Sequence, residues 1–200
     1  MDAVKQLIKK SLNNDLAAFE ELIDLYQNRV YSLSYQLAGN HDDAQDLAQE
    51  VFIKAFGGLK GFRNEADFGT WLHRITVNLW LNMRRKQSKQ VIVSLDEPVR
   101  TGEDEVYREL AATEGDPEQM LENKEFGGLV RLAMGELSRE YRAVLVLREI
   151  EGYSYEEVAD VLNCSLGTVK SRLNRARQIL KQKVTVLAQE AGVILPGKER

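Results

Sequence analysis

Apolar residues recur at three- and four-residue steps through two separate stretches of this chain, and no convincing length of it alternates with period two. Leu16, Phe19, Leu22, Ile23, Tyr26, Val30, Leu33 and Leu37 form one helical stripe. Asp15 is placed to cap its start and Gly39-Asn40 to stop it. A second stripe, Ala44, Leu47, Val51, Phe52 and Ala55, runs up to the breaker Gly57-Gly58. Residues 60–67 are polar and contain glycine, so they read as a loop. A third helix carries Phe68, Trp71, Leu72, Ile75, Leu79 and Met83 and ends in the cluster Arg84-Arg85-Lys86. Val91-Ile92-Val93 is too short to count as a strand. The periodicity predicts an all-α protein.

Helical signals resume after a gap. Asp116-Pro117-Glu118 reads as a capping Asp followed by Pro at the first helical position. Leu121, Leu129, Leu132, Ala133 and Leu137 continue that helix, with Gly127-Gly128 weakening its middle. Ser138 can cap a further helix through Val144, Leu145 and Leu147, which Gly152 ends. Between the two blocks, residues 91–116 hold Pro98, Gly102 and Gly115 and no sustained apolar period. Such a segment buries too little to offset the entropy of ordering, so a flexible linker is expected. It lies in an acidic stretch: residues 91–122 hold 2 Lys/Arg against 10 Asp/Glu, a net of −8. The expected organisation is two small helical domains, 1–90 and 117–190, an acidic linker 91–116 and a tail 191–200. A length of 200 residues suits two domains of about 100 each.

Composition removes several function classes. A single cysteine, Cys164, allows no intramolecular disulfide and no multi-thiolate zinc site. Two histidines, His41 and His73, are too few for a histidine-built metal centre. No apolar run reaches the roughly 18 residues that span a bilayer. The N-terminal residues 1–13 are too polar for a signal peptide. A cytoplasmic protein without a cofactor is expected. There is no phosphate-cradling Gly-x4-Gly-Lys-[Ser/Thr] loop and no nucleophile–His–acid constellation. Glu156 and Glu157 read as helix-start acids rather than an acid/base pair, so no enzyme and no small-molecule substrate are expected.

The C-terminal block carries the clearest motif. Ser154-Tyr155-Glu156-Glu157 has capping-box spacing and starts a short helix with Val158, Ala159 and Leu162. Asn163-Cys164-Ser165 is a turn, and Cys164 in it reads as a small buried thiol. Leu166 opens a longer helix with Val169, Leu173, Ala176 and Leu180 on one face. This is a helix-turn-helix. Its opposite face shows Lys170, Ser171, Asn174, Arg175 and Gln178, side chains able to meet base edges or phosphates in a major groove. From Asp160 to Glu190 the chain holds six cations, Lys170, Arg172, Arg175, Arg177, Lys181 and Lys183, and no acid between them. A merely solvated helix face seldom shows that imbalance.

The N-terminal block has its own display. Phe62, Arg63, Asn64, Phe68, Trp71, Arg74, Asn78, Trp80 and Asn82 crowd the loop and helix after residue 60. Rings can stack on unstacked bases, amides can read their edges and guanidinium groups can hold phosphates. Phe68 and Trp71 also suit a core. Asn78 sits near the apolar stripe and would need polar partners there.

Three motifs in register carry a family resemblance. Asp46-Leu-Ala-Gln49-Glu50-Val-Phe52, then Gly61-Phe62-Arg63 leading to Thr70-Trp71-Leu72-His73-Arg74-Ile75, and Gly152-Tyr153-Ser154-Tyr155-Glu156-Glu157 leading to Gly167-Thr168-Val169-Lys170-Ser171-Arg172 resemble the extracytoplasmic-function (ECF) sigma factors. These are the smallest two-domain members of the sigma-70 class. The resemblance covers nearly the whole chain in the family's order. It implies a region 2 helical bundle and a region 4 helix-turn-helix.

Roles follow from the resemblance position by position. Asp46, Gln49, Glu50 and Phe52 match the surface for the clamp helices of the RNA polymerase β′ subunit. The same resemblance implies the β flap as a second contact on core polymerase. Phe62, Arg63, Asn64, Arg74, Asn78 and Asn82 match the part that captures the −10 promoter element as single strand. Lys170, Ser171, Arg172, Asn174 and Arg175 match the helix that reads the −35 element as duplex. Promoter DNA and an anti-sigma factor, in some members anchored at the membrane, are implied partners.

Reach is compatible with this reading. Elements about 17 base pairs apart lie roughly 58 Å apart at about 3.4 Å per step. A free chain of about 30 residues averages about 30 Å end to end and extends to about 100 Å. The extended state needs a partner to hold it, and a net −8 segment fits a basic channel of the polymerase better than it fits DNA. A dimeric helix-turn-helix repressor or activator acting without polymerase remains the alternative, although it leaves the N-terminal display and the acidic segment unused.

Overall fold

The computed structural model describes residues 2–62, 67–90 and 117–193, and among these every regular element is helical. The expected linker 91–116 and most of the tail, residues 194–200, lie outside the described residues, as do Arg63 and Asn64. Five elements make the N-terminal unit: helix α1 (Asp2–Leu12), α2 (Leu16–Ala38), α3 (His41–Gly58), a 3-10 turn (Leu59–Gly61) and α4 (Phe68–Gln90). The C-terminal unit has α5 (Pro117–Gly135), α6 (Arg139–Leu145), a π-helical turn (Val146–Ile150), α7 (Tyr155–Leu162) and α8 (Leu166–Ala191).

The boundaries follow local chemistry. Asp15 caps α2 by accepting from the Ala18 amide at 3.1 Å. Gly39 ends α2 in the left-handed region at φ 85°, where its lack of a Cβ avoids strain. Asn40 then caps α3 by accepting from the Asp43 amide at 2.9 Å. Ser138 caps α6 and Pro117 opens α5 at its first position.

Three boundaries differ from expectation. Residues 2–12 form a helix, with Leu7, Ile8 and Ser11 buried on one side. Helix α3 runs through Gly57-Gly58 before it ends, because continuing the turn delivers Leu59 into the core. That burial offsets a glycine cost of about 1 kcal/mol per residue. Helix α4 continues past Arg84-Arg85-Lys86 to Gln90, since nothing in Gln87-Ser88-Lys89-Gln90 breaks a helix.

One continuous core joins both units. Leu22, Val30, Leu33, Leu37, Leu47, Val51, Leu72 and Val77 from the N-terminal bundle belong to the same buried cluster as Val144, Leu147, Val158, Val169 and Leu173 from the C-terminal unit. Helix α7 packs on α4, and the π-helical turn packs on α2. The buried face of α4 is correspondingly rotated from the expected one. His73, Thr76, Val77 and Trp80 are buried, while Ile75, Leu79 and Met83 are only half-buried.

Candidate nucleic-acid interface

Helix α4 sets the first surface. Arg74, Asn78 and Asn82 are spaced four residues apart and are all exposed, so they form one polar stripe along the helix. Asn78 therefore faces solvent and needs no buried partner, whereas its place near the apolar stripe led to the expectation that it would need polar partners there. Trp80, counted with the base-reading display, is a core residue at 4% exposure. The Arg142 guanidinium of the second unit lies 5.9 Å from the centroid of its ring.

The aromatic residues before the stripe form a cluster instead of separate platforms. Phe62, Phe68 and Trp71 have ring centroids 5.2 to 5.4 Å apart. Phe68 is buried, whereas Phe62 and Trp71 are half-buried and keep part of their faces to solvent. Aromatic contacts of this kind rigidify a surface that can receive a base.

Helix α3 sets the second surface, and it meets the first. Ala44, Leu47 and Val51 are buried, while Asp46 and Gln49 are exposed and Glu50 is partly exposed on the other side. Phe52 is half-buried and packs against the core. Asp46, Gln49 and Glu50 line an open groove of about 490 Å³ between α3 and α4, whose other wall includes Leu79, Asn82 and Met83. The groove thus brings Asn82 beside the residues expected to meet polymerase. Ile53, which the sequence reading passed over, also lines it and is 59% exposed. Its signal was available: an isoleucine off the apolar stripe, one turn after Gln49 on the same face.

The helix-turn-helix sets the third surface. Ser154 and Glu157 form the expected reciprocal capping box, at 3.1 Å and 2.7 Å. Asn163 turns the chain in the left-handed region at φ 48°, and the Cys164 amide donates to the Ala159 carbonyl at 3.0 Å. Cys164 is half-buried under that turn. Ser165 caps α8 by accepting from the Thr168 amide at 3.1 Å. Val169, Leu173 and Ala176 then anchor α8 in the core. Lys170, Ser171, Asn174 and Arg175 are exposed on the outward side and Arg172 is half-buried.

The fold also sorts the six cations. Arg177 pairs with Glu149, which raises its already high pKa, and Lys183 pairs with Glu136. Lys170, Arg172, Arg175 and Lys181 form no ion pair with an acid among the described residues. Three of these four unpaired cations, Lys170, Arg172 and Arg175, lie in the first three turns of α8, toward the helix end whose amides also favour an anion.

Among the described residues no helix is long and apolar enough to cross a membrane, and no group of three or more His, Cys, Asp or Glu could hold a metal ion.

Residues 22–90 match the family Sigma-70 region 2, and residues 128–180 match Sigma-70, region 4. The chain is 39% identical over 166 residues to the ECF RNA polymerase sigma factor SigE of Mycolicibacterium smegmatis, spanning 83% of this chain and 61% of that protein. It is 33% identical over 181 residues to the ECF RNA polymerase sigma factor SigW of Bacillus subtilis, spanning 90% of this chain and 96% of that one. Its fold is similar to that of the sigma factor RpoE from Bartonella quintana, solved in complex with the anti-sigma factor NepR. That structure has a TM-score of 0.62 at 24% identity, covering 84% of this chain and 97% of the other.

Proposed function

The chain belongs to the ECF RNA polymerase sigma factors, and we propose that it divides a promoter between its two helical units. As a sigma factor it directs core polymerase to specific promoters and assists DNA opening for transcription initiation. In this reading residues 1–90 hold core polymerase and capture the −10 element, residues 117–190 read the −35 element as duplex, and residues 91–116 connect them.

The observation that carries this reading is the pair of separate displays. The Arg74, Asn78 and Asn82 stripe sits in the region 2 match, and the unpaired cations Lys170, Arg172 and Arg175 of α8 sit in the region 4 match. On the first, opening needs no catalytic residue. Extruding a base costs a few kcal/mol. Stacking of about 1–3 kcal/mol per base on a preformed aromatic surface can offset that. The half-buried Phe62 and Trp71, beside the stripe, suit that role. On the second, Lys170, Ser171, Arg172, Asn174 and Arg175 enter a major groove.

The groove between α3 and α4 receives the β′ clamp helices on Asp46, Gln49 and Glu50, with Phe52 supporting α3 from within. The β flap contacts the second unit. The RpoE neighbour was solved with an anti-sigma factor. We propose that an anti-sigma factor likewise restrains this chain in the cytoplasm. No cofactor or small-molecule substrate enters the scheme.

Transcription in vitro with core polymerase tests the reading. Specific start sites should appear over a genomic template only when the chain is added. Tight binding of a palindromic duplex by the isolated chain at physiological salt, with no effect on core polymerase, would favour a dimeric repressor instead.

A further inference from the structure

Lys170, the first cation of α8, is met by an aromatic ring from the helix before it. Tyr155 is the first residue of α7, directly after the cap Ser154. It is half-buried and packs against the core. The guanidinium carbon of Arg148 lies 4.9 Å from the centroid of its ring, and Nζ of Lys170 lies 5.9 Å from the same centroid. Two cations from different elements, the π-helical turn and α8, thus converge on one side chain. A ring face carries partial negative charge and attracts a cation at this range.

The three side chains are not fixed equally. Nη1 of Arg148 donates to the Tyr153 carbonyl at 2.7 Å, so the guanidinium is set by the backbone. Tyr155 is set by the reciprocal bonds of Ser154 and Glu157, which fix the first turn of α7. Farther along, Nε of Arg177 donates to Oε1 of Glu149 at 3.1 Å. That bond ties α8 to the π-helical turn about two turns beyond Lys170. Lys170 itself is exposed, and among the described residues its ammonium makes no hydrogen bond and no ion pair. The Tyr155 ring is the contact that holds it.

That contact bears on how α8 meets a duplex. A lysine carries much rotamer freedom, and an interface that immobilises it loses that entropy on binding. An ammonium already held against a ring has less to lose. The ring consumes none of its three N–H donors, so all remain available to a base edge or a phosphate. Arg148 stands beside the same ring and likewise pairs with no acid among the described residues. Position matters because residues near the start of a recognition helix are the ones that reach base edges, and Lys170 lies in the second turn of α8.

We propose that Tyr155 is a positioning residue for −35 recognition: its ring holds the Lys170 ammonium ready for the duplex, and Arg148 braces the ring. This rests on the sigma-factor reading for what Lys170 meets, and on the contacts between α7, α8 and the π-helical turn for how it is held.

Proton NMR of the full chain reads the contact without DNA or polymerase. The Lys170 ε-methylene protons should resonate upfield of their ordinary position in the parent and in Tyr155→Phe, and return to it in Tyr155→Leu. An ordinary position in the parent would overturn the contact. Binding of the holoenzyme to a duplex −35 element reads the role. Tyr155→Leu keeps apolar bulk against the core and should weaken binding by about two- to tenfold, the range for one side chain that must be immobilised. Tyr155→Met serves in its place if the leucine variant does not fold. Tyr155→Phe, which keeps the ring, should bind as the parent does. In a Lys170→Met background there is no ammonium to hold, and Tyr155→Leu should cause no further loss. An equal loss in both backgrounds would mark a general loosening of the helix-turn-helix and overturn the positioning role. Parent affinity in Tyr155→Leu, or the same loss in Tyr155→Phe as in Tyr155→Leu, would overturn it as well. Failure of the parent to direct core polymerase to any promoter would overturn the sigma-factor reading and the DNA role together, whereas the upfield shift would still report the ring contact.

Discussion

The Arg142 guanidinium donates to the Leu37 carbonyl at 2.8 Å, joining residues 105 positions apart. A buried cation is stable only when its donors are used, and here the acceptors are helix-end carbonyls that need donors. Arg142→Ala would orphan Leu37, Ala38 and Met134 carbonyls together. A loss of about 2–4 kcal/mol in unfolding free energy is expected, within the range for breaking a buried charged hydrogen-bond network. Urea denaturation checks it. Arg142→Lys should recover only part, because an ammonium cannot fork across carbonyls from two segments.

His73 makes stability depend on pH. Burial lowers its pKa from 6.5 to about 4, with nearby Arg29 acting in the same direction and Asp67 against it. The native state therefore holds a neutral ring, while the unfolded chain binds a proton below about pH 6.5. Stability attributable to His73 is intact above that pH and declines as pH falls toward 4. At pH 5 the decline is about 2 kcal/mol. Burial raises the pKa of Glu151, which opposes the trend by favouring its protonated form in the native state. Melting temperatures should fall from pH 7 to pH 5 in the parent, and the fall should be smaller in His73→Gln.

The helix-turn-helix was legible because each of its boundaries rests on a local contact. Ser154 with Glu157, Asn163 in the left-handed turn, and Ser165 with the Thr168 amide all involve neighbours within three residues. The stripe on α4 was legible only in part. Periodicity favoured Ile75, Leu79 and Met83 for its buried side, but α4 is covered both by its own bundle and by α7, which moves burial toward His73, Thr76, Val77 and Trp80. The Thr76 hydroxyl meets that burial by donating to the Leu72 carbonyl at 2.9 Å. No pattern in α4 alone announces a contact such as that of His73 with Tyr153, 80 positions away. Helix α1 had a signal, Val4, Leu7, Ile8 and Ser11 at three- and four-residue steps, but with few apolar residues to carry it. The meeting of Asn82 with Gln49 and Glu50 in one groove is likewise a product of packing between helices.

Glu50 provides a variant that separates partner binding from folding. Its ion pair with Lys54 is 3.8 Å long between largely exposed side chains, so it contributes little to stability. Glu50→Lys should change the unfolding free energy by less than about 0.5 kcal/mol, as surface substitutions generally do. If the groove receives polymerase as proposed, the reversed charge should weaken core binding by tenfold or more, since truncated interface charges cost about 2 kcal/mol and upward. A pull-down of core polymerase alongside a denaturation curve checks both. Gln49→Ala should weaken core binding with the same indifference of the fold.

The two DNA displays should fail in different assays. Arg175 is exposed on α8 and forms no ion pair among the described residues, so it is available to a base edge or phosphate. Arg175→Ala should cost the holoenzyme about 1–3 kcal/mol on a duplex −35 element, the range for one bidentate base contact. If the contact is to a phosphate instead, the loss should be equal across sequences and the salt dependence should flatten by about one counterion. Asn78 lies on α4 between Arg74 and Asn82, away from the helix-turn-helix cations in sequence and on a separate helix. Asn78→Ala should leave duplex −35 binding unchanged and slow opening, read as reduced permanganate reactivity of −10 thymines. Because Asn78 is exposed, its loss should not unfold the bundle, and melting temperatures within about 2 °C of the parent are expected for a surface change. Parallel loss of duplex affinity and opening in both variants would contradict the division of labour between α4 and α8.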